Sequence, residues 1–236
     1  MKIAGIKYSC PFKGAMININ AFSDIHGHIE RADSGYQTML KNKTFEENKT
    51  GKINFLIDGG DWFVACDKKG FKSSPNRTLG DFLIQMQNVF VNTIKAEYPN
   101  TKSIFIPGNH EFDGGEESFN KIASGINSKI ISSNMDLRNS PTVNKLISEG
   151  KIVNYTVDFV QDDKNPKTYY PVLNIGVSPF NMKHYNEEVK GVNFINNIPA
   201  PIKAISKNRY AVTTMAIKSI IDGFESEYPQ GIVIAT

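Results

Sequence analysis

The stretch Ser103–Gly115, SIFIPGNHEFDGG, joins a short apolar run to a group of polar residues. The run Ile104-Phe105-Ile106 predicts a buried strand, since it is brief, apolar and followed by the turn residues Pro-Gly. Residues that can bind a metal or carry a proton then follow within five positions: Asn109, His110, Glu111 and Asp113. In open α/β sheets ligands bind at the carboxyl ends of strands, so this stretch predicts an α/β domain with a site at that edge.

Two earlier strand ends carry the same chemistry. The apolar run Ile17–Phe22 leads into SDIHGHIE, which contains Asp24, His26 and His28. The run Ile53–Ile57 leads into DGGDWF, which contains Asp58 and Asp61. Turn formation explains the glycines, but it does not explain acids and imidazoles after three successive strands. We therefore predict that these loops form one shared site.

Strand-like and helix-like patterns alternate along the rest of the chain, which favours an α/β fold. Further strands are predicted at Lys129–Ser132, Ile152–Val160, Val172–Val177 and Ile232–Ala235. Helical spacing occurs at Gly35–Leu40, at Phe82–Ile94 and at Val212–Phe224. In the second of these helices the predicted apolar face consists of Phe82, Leu83, Met86, Val89, Phe90 and Ile94.

Composition excludes several classes of protein. The 236 residues are 40% hydrophobic and 22% charged, as in ordinary globular domains. The net charge is +3 and lysines are scattered, so neither nucleic acid nor an anionic membrane is an expected partner. Cys10 and Cys66 form no C-x-x-C pair, so neither a disulfide scaffold nor a cysteine-based zinc site is expected. The first residues lack the apolar core of a secretory signal, and no run reaches the roughly 18 apolar residues of a membrane span. The cytoplasm is the default expectation.

The polar residues at the three strand ends suit a site for two divalent cations. Asp24 and His26 lie two positions apart, so an extended backbone points both side chains the same way. Asp61 follows two glycines and is placed to bridge two ions, while Asn109 offers a neutral oxygen to the second ion. Oxygen and nitrogen ligands without thiolate suit manganese, zinc or iron.

Two adjacent cations suit hydrolysis of a phosphoester, because they polarise phosphoryl oxygens and activate water. His110 is predicted to lie beside the ions and to protonate the leaving oxygen. Asp113, three residues later, is predicted to hold that imidazole in one tautomer and to favour its cationic form.

These motifs resemble a known family. Asp24-Ile25-His26-Gly27, Gly60-Asp61 and Gly108-Asn109-His110-Glu111 are similar to the first three signature blocks of the calcineurin-like metallophosphoesterase superfamily. The extended forms GNHEFDGG and ISSNMDL, the latter containing Asn134, resemble its 5′-nucleotidase branch, which includes 2′,3′-cyclic phosphodiesterases.

The resemblance implies a fold and a set of roles. The fold is a two-sheet β-sandwich flanked by helices, in four layers ordered α/β/β/α. Asp24 and His26 would bind the first metal, Asp61 would bridge, and Asn109 would bind the second. His110 and Asp113 would form the catalytic pair, and Asn134 would contact the substrate, a nucleotide or another small phosphomonoester.

The resemblance also leaves differences. The family takes further metal ligands from histidines in two later blocks, whereas this chain has four histidines, the last being His184 in an unmatched context. We therefore expect residues 1–236 to be the N-terminal part of a catalytic domain, completed by a C-terminal portion or a second chain. A phosphodiesterase or nuclease is one alternative, and a catalytically incompetent fragment or binding module is another. The pair Trp62-Phe63 is predicted to pack in the core or to stack on a base.

Overall fold

The computed structural model describes residues 5–8, 17–26, 30, 33–34, 37, 53–63, 79–136, 140–141, 143–162, 164–179, 193–194 and 209–236. His28 and nearly all of the helix predicted at Gly35–Leu40 lie outside the described residues. No helix within these ranges is long and apolar enough to cross a membrane.

The larger sheet has six strands in the order β1-β2-β3-β4-β5-β7. Strand β1 is antiparallel to β2, and every other pair is parallel. The strands are β1 (Gly5–Tyr8), β2 (Ile17–Phe22), β3 (Asn54–Asp58), β4 (Thr101–Phe105), β5 (Lys129–Ile131) and β7 (Ile152–Val153). Because β2 to β5 run the same way, their carboxyl ends lie at one edge of the sheet.

The second sheet has three strands in the order β11-β9-β8. Strand β8 (Tyr155–Gln161) is antiparallel to β9 (Tyr169–Ile175), and β11 (Ile232–Ala235) is parallel to β9. A separate two-stranded pair joins β6 (Met135–Asp136) to β10 (Asn193–Phe194).

Apolar side chains hold the two sheets face to face. Phe55 and Ile104 of the larger sheet belong to the same buried cluster as Val160, Val172 and Ile234 of the second sheet. This cluster is the filling of a β-sandwich, in which the inner faces of the two sheets form the core.

Helices cover both outer faces of the sandwich. Helix α1 (Leu79–Glu97) and helix α2 (Gly115–Gly125) pack on the larger sheet, and a short helix α3 (Asn144–Ser148) lies beside β7. Helix α4 (Arg209–Glu227) packs on the second sheet, where Phe224 is buried with Leu173 and Ile175. The layers are α/β/β/α, which confirms the predicted fold class.

The buried face of helix α1 agrees with its predicted apolar face only in part. Phe82 and Val89 are 41% and 59% exposed, so the prediction for these two residues is wrong. Leu83 and Ile94 are buried as predicted, and the buried face also includes Val91 and the polar residue Gln87. Gln87 is tolerated inside because its amide donates to Ser128 Oγ at 3.3 Å. A pattern built only from apolar residues cannot include a buried glutamine, so the Gln87 side of the buried face is not predicted.

Candidate metal centre

The register of the larger sheet brings the three predicted loops together. Phe22 pairs with Asp58, and Asp58 pairs with Phe105, so β2, β3 and β4 end at the same level. The loops that follow these strands therefore leave the sheet side by side, at its carboxyl edge. This is the edge at which parallel sheets bind ligands.

Backbone hydrogen bonds tie the first loop to the second. The Asp24 amide donates to the Gly60 carbonyl at 3.0 Å, and the His26 amide donates to the Asp61 carbonyl at 2.9 Å. Asp24, His26 and Asp61 have φ values of 57°, 53° and 56°, in the left-handed region that residues with a Cβ rarely adopt. Each costs about 1–2 kcal/mol, and cross-loop hydrogen bonds of this kind hold such conformations in place.

Two glycines let the second and third loops touch. Gly60 has a φ of 85°, and a Cβ there would lie 2.3 Å from the Gly108 amide nitrogen. A Cβ on Gly108 would lie 2.2 Å from Asp61 Oδ1. A side chain at either position would push the loops apart, so both glycines are needed for Asp61 to reach the loop that carries His110.

Three side chains converge at this contact. His26, Asp61 and His110 each offer one ligand atom, and these atoms all lie within 4.8 Å of one another. The two imidazole rings meet edge to face, with centroids 5.3 Å apart. Asp24 adjoins the group, because its Oδ1 lies 3.5 Å from His26 Nε2.

The residues present fit a divalent cation. His26 Nε2 is shielded from solvent and has no hydrogen-bond partner among the described residues. A buried imidazole nitrogen without such a partner is costly, and a metal ion would satisfy it. The neighbouring carboxylates of Asp24 and Asp61 supply negative charge and hard oxygen atoms, a donor set that suits manganese, zinc or iron.

His110 is held by the acid three residues later. Its Nδ1 lies 2.9 Å from Asp113 Oδ2, and its backbone amide donates to Asp61 Oδ1 at 3.0 Å. Burial lowers the pKa of His110, but the Asp113 hydrogen bond and the charges of Asp113, Asp61 and Glu111 outweigh burial and raise the net pKa. The ring is therefore biased toward its cationic form, with Nε2 left as the nitrogen that can carry a proton outward.

The Glu111 side chain links the second loop to the third loop through hydrogen bonds. Its buried carboxylate accepts four backbone hydrogen bonds: Oε2 from Gly108 and Asp61, and Oε1 from Trp62 and Phe63, at 2.6 to 3.3 Å. Burial raises the pKa of Glu111 to about 7, against the opposing effect of the amide donors. These contacts give Glu111 a structural role, although in the sequence it is visible only as the last residue of the Gly108-Asn109-His110-Glu111 block.

Asp58 shares that buried environment. Its Oδ1 accepts from the Gly60 amide at 3.0 Å, so it caps the turn that presents Asp61. Burial raises the pKa of Asp58 well above its ordinary value, and the charges of Glu111 and Asp61 act in the same direction. Asp58 therefore supports the second loop from inside the sheet.

The remaining predicted site residues have different surroundings. The Asn109 side chain is half-buried and makes no capping hydrogen bond to the short turn that it precedes. Asn134 is buried, and its amide exchanges hydrogen bonds with the Ser178 backbone at 2.6 and 2.8 Å. These bonds tie the loop after β5 to the loop after β9. Trp62 and Phe63 are buried in the core, which is the packing alternative predicted for them.

Residues 17–209 match the sequence model of the calcineurin-like phosphoesterase family. The chain belongs to the calcineurin-like phosphoesterase family. No curated protein matches the chain. The matched range contains the three loops described above.

Solved structures with this fold include several phosphoesterases. The calcineurin-like phosphoesterase YfkN from Bacillus subtilis is 16% identical, with a TM-score of 0.54 over 92% of this chain and 60% of that one. A putative 5′-nucleotidase from Staphylococcus aureus is 14% identical, with a TM-score of 0.54 over 93% and 37%. A 5′-nucleotidase precursor from Thermus thermophilus is 18% identical, with a TM-score of 0.48 over 79% and 33%. The chain thus spans 33% to 60% of the length of these proteins. The likeness to the B. subtilis and S. aureus structures shows the fold.

Proposed function

We propose that this calcineurin-like phosphoesterase is a metal-dependent hydrolase of the 5′-nucleotidase type, acting on a nucleotide or another small phosphomonoester. The observation that carries the proposal is the convergence of His26, Asp61 and His110 within 4.8 Å, with Asp24 beside them. A compact group of imidazole and carboxylate ligands at the carboxyl edge of a parallel sheet suits phosphoryl chemistry.

Asp24, His26, Asp61 and Asn109 are the proposed holders of two divalent cations. When bound, such cations supply Lewis acidity toward the phosphoryl oxygens and toward water. The chain itself contributes position, since backbone hydrogen bonds between the first two loops hold the ligand residues in place. Asp61 lies where the second loop contacts both the first and the third.

His110 and Asp113 are the proposed acid pair. As an ester bond breaks, negative charge develops on the leaving oxygen, and a cationic imidazole can donate a proton from Nε2 to that oxygen. Asp113 accepts from Nδ1, which fixes the tautomer and stabilises the charge on the ring. The raised pKa of His110 supports this role, because it increases the protonated fraction near neutral pH.

The substrate class rests on sequence motifs. GNHEFDGG, from Gly108 to Gly115, and Asn134 in ISSNMDL resemble the nucleotidase branch. The S. aureus neighbour is named as a putative 5′-nucleotidase, which is compatible with this proposal. The small net charge of +3 argues against a nucleic-acid substrate.

Hydrolysis assays on the purified chain test the proposal. Manganese is added, and p-nitrophenyl phosphate, AMP and bis(p-nitrophenyl) phosphate are compared. We expect manganese-dependent release of p-nitrophenol and of phosphate from the two monoesters, at a low rate because the two later histidine blocks of the family have no counterpart in this chain. The variant Asp61→Asn should lose this release, whereas Asp222→Asn, which alters an exposed ion pair on α4, should retain it.

Three outcomes discriminate among the alternatives. Preferential cleavage of the bis ester would assign a phosphodiesterase instead. Turnover that depends on neither manganese nor Asp61 would contradict the proposed site. Lack of turnover with every ester, together with lack of manganese binding by calorimetry, would favour a non-catalytic binding module.

A further inference from the structure

A polar cavity lies at the opposite edge of the larger sheet from the candidate metal centre. Its volume is about 390 Å³, and its lining includes Thr101 at the start of β4 and Lys129 at the start of β5. The metal centre follows the other ends of the parallel strands. From Thr101 at the cavity to Ile106 near the candidate metal centre the strand advances five residues, which is about 16 Å at roughly 3.3 Å per residue. The two sites are therefore distinct.

The cavity is strongly cationic. Its lining contains Lys95, Lys102, Lys129 and Lys151 and a single carboxylate, Asp158, so four positive charges face one negative charge, an excess of three. Asp158 Oδ1 lies 3.4 Å from Lys102 Nζ and offsets part of that charge. Walls of one sign focus the field in a cleft and attract counter-ions.

A structural role for some of these lysines does not remove the excess charge. Lys151 Nζ donates to the carbonyls of Ile126 and Ser128 at 2.5 and 2.7 Å, and Lys129 Nζ donates to the Gly150 carbonyl. Carbonyl oxygens are neutral, so the ammonium charges remain uncompensated. Burial lowers the pKa of Lys151 to about 8, and the charges of Lys129 and Lys95 act in the same direction.

A buried hydroxyl in the same lining gives an independent indication of a ligand. Thr101 is only 5% exposed, and its Oγ1 has no hydrogen-bond partner among the described residues. Buried hydroxyls normally have a partner, and an anion in the cavity would accept this one. A charged wall and an unsatisfied donor therefore indicate the same class of ligand.

We propose that this cavity binds a small phosphorylated anion at a site separate from the metal centre. Phosphate oxygens accept hydrogen bonds from ammonium and hydroxyl groups, and the volume lies within the range of pockets for small molecules. The site does not depend on the proposed hydrolase activity.

Isothermal titration calorimetry of the chain in EDTA, which prevents metal binding and turnover, tests the proposal with two probes. Inorganic pyrophosphate represents a free phosphate source, and AMP represents a nucleotide source. At least one should bind saturably, with the tighter probe identifying the source. Lys95→Gln/Lys102→Gln should weaken binding at least about tenfold, because two attractive charges are lost. Asp158→Asn should strengthen binding about threefold, because a repulsive charge is lost.

A matched control is Lys145→Gln/Lys218→Gln, which removes two exposed, ion-paired lysines elsewhere. It should leave the affinity unchanged, as should Asp61→Asn. Lack of saturable binding of both probes would overturn the proposal. Equal weakening in the two lysine variants would reduce the effect to net charge, and a changed affinity in Asp61→Asn, in either direction, would place the anion at the candidate metal centre. Either result would also overturn it.

Discussion

Gly60→Ala tests whether close contact between loops assembles the candidate metal centre. Gly60 has a φ of 85°, and a Cβ there would lie 2.3 Å from the Gly108 nitrogen and 2.5 Å from the Ile106 oxygen. Both are backbone atoms, so no side-chain rotation can relieve the contact. The loops must separate, or the left-handed turn before Asp61 must change.

The expected cost follows from these two effects. A left-handed conformation costs a residue with a Cβ about 1–2 kcal/mol. Overpacking against a rigid environment adds about 1–3 kcal/mol. We therefore expect Gly60→Ala to reduce the free energy of unfolding by about 3 kcal/mol. For a chain of this size each kcal/mol lowers Tm by about 2–4 °C, so Tm should fall by about 10 °C.

Two other glycines separate these effects. Gly150 has a φ of 66° but nothing within 4 Å of a built Cβ, so Gly150→Ala should show the backbone cost alone, about 1 kcal/mol. Gly223 lies within α4 and also has open space, so Gly223→Ala should stabilise the chain by up to about 1 kcal/mol. Differential scanning calorimetry in EDTA compares the three. A Tm for Gly60→Ala within about 2 °C of that for Gly150→Ala would refute the contact argument.

Four further predictions concern the charged groups. His110→Asn should lower kcat about a hundredfold or more in the phosphomonoester assay. Although burial lowers the pKa of His110, Asp113 raises it, so Asp113→Asn should move the alkaline decline in activity to lower pH; an unchanged pH profile would contradict the pairing. Burial raises the pKa of Glu111 from 4.5 to about 7, so between these two pH values the folded state holds a proton that the unfolded state releases. The free energy of unfolding of the metal-free chain should therefore fall by about 3 kcal/mol as the pH rises from 4.5 to about 7. Urea unfolding should show this slope flattened in Glu111→Gln and kept in the exposed control Glu149→Gln. Manganese should raise Tm of the wild-type chain but not of Asp61→Asn, and an equal rise in both would remove Asp61 from the site.

Several strands of the sandwich are predictable because they are short runs rich in Ile, Val and Phe. Ile17–Phe22 and Ile232–Ala235 have their predicted bounds, and β3 and β4 differ by one or two residues. The predicted strand Ile152–Val160 is divided between β7 and β8, which belong to different sheets. The turn at Asn154 carries no glycine or proline, so the sequence gives no sign of that change of sheet.

Helix α2 and the Glu111 contacts are harder to predict. Helix α2 contributes only Phe119, Ile122 and Ala123 as apolar buried residues, and glycine stands at each end, so its periodic signal is weak. The four backbone amides that donate hydrogen bonds to Glu111 lie in two loops about 50 positions apart in the chain. Only the sheet register brings those loops together, and local pattern carries no information about it.

Backbone strain and predicted ligand positions coincide in this molecule. The three non-glycine residues with positive φ in the described part of the chain are Asp24, His26 and Asp61, all predicted to bind metal. At about 1–2 kcal/mol each, these conformations persist because the surrounding structure determines them. Three features hold the loops in these conformations: the backbone hydrogen bonds between loops, the close contact at Gly60 and the four hydrogen bonds to Glu111. The loops are therefore ordered by the protein before a cation contributes any binding energy.

The lysine-lined cavity illustrates what a linear sequence conceals. Lys95, Lys102, Lys129 and Lys151 are spaced 7, 27 and 22 residues apart, so in the chain they look like the scattered surface charge of a soluble domain. The parallel topology places the starts of β4 and β5 side by side, with the end of α1 and the turn before β7 next to them. Each crossover of a parallel sheet returns the chain to the same edge, so residues one crossover apart become neighbours. Charges spaced by whole crossovers therefore accumulate at one edge, although net charge and local charge density give no indication of it.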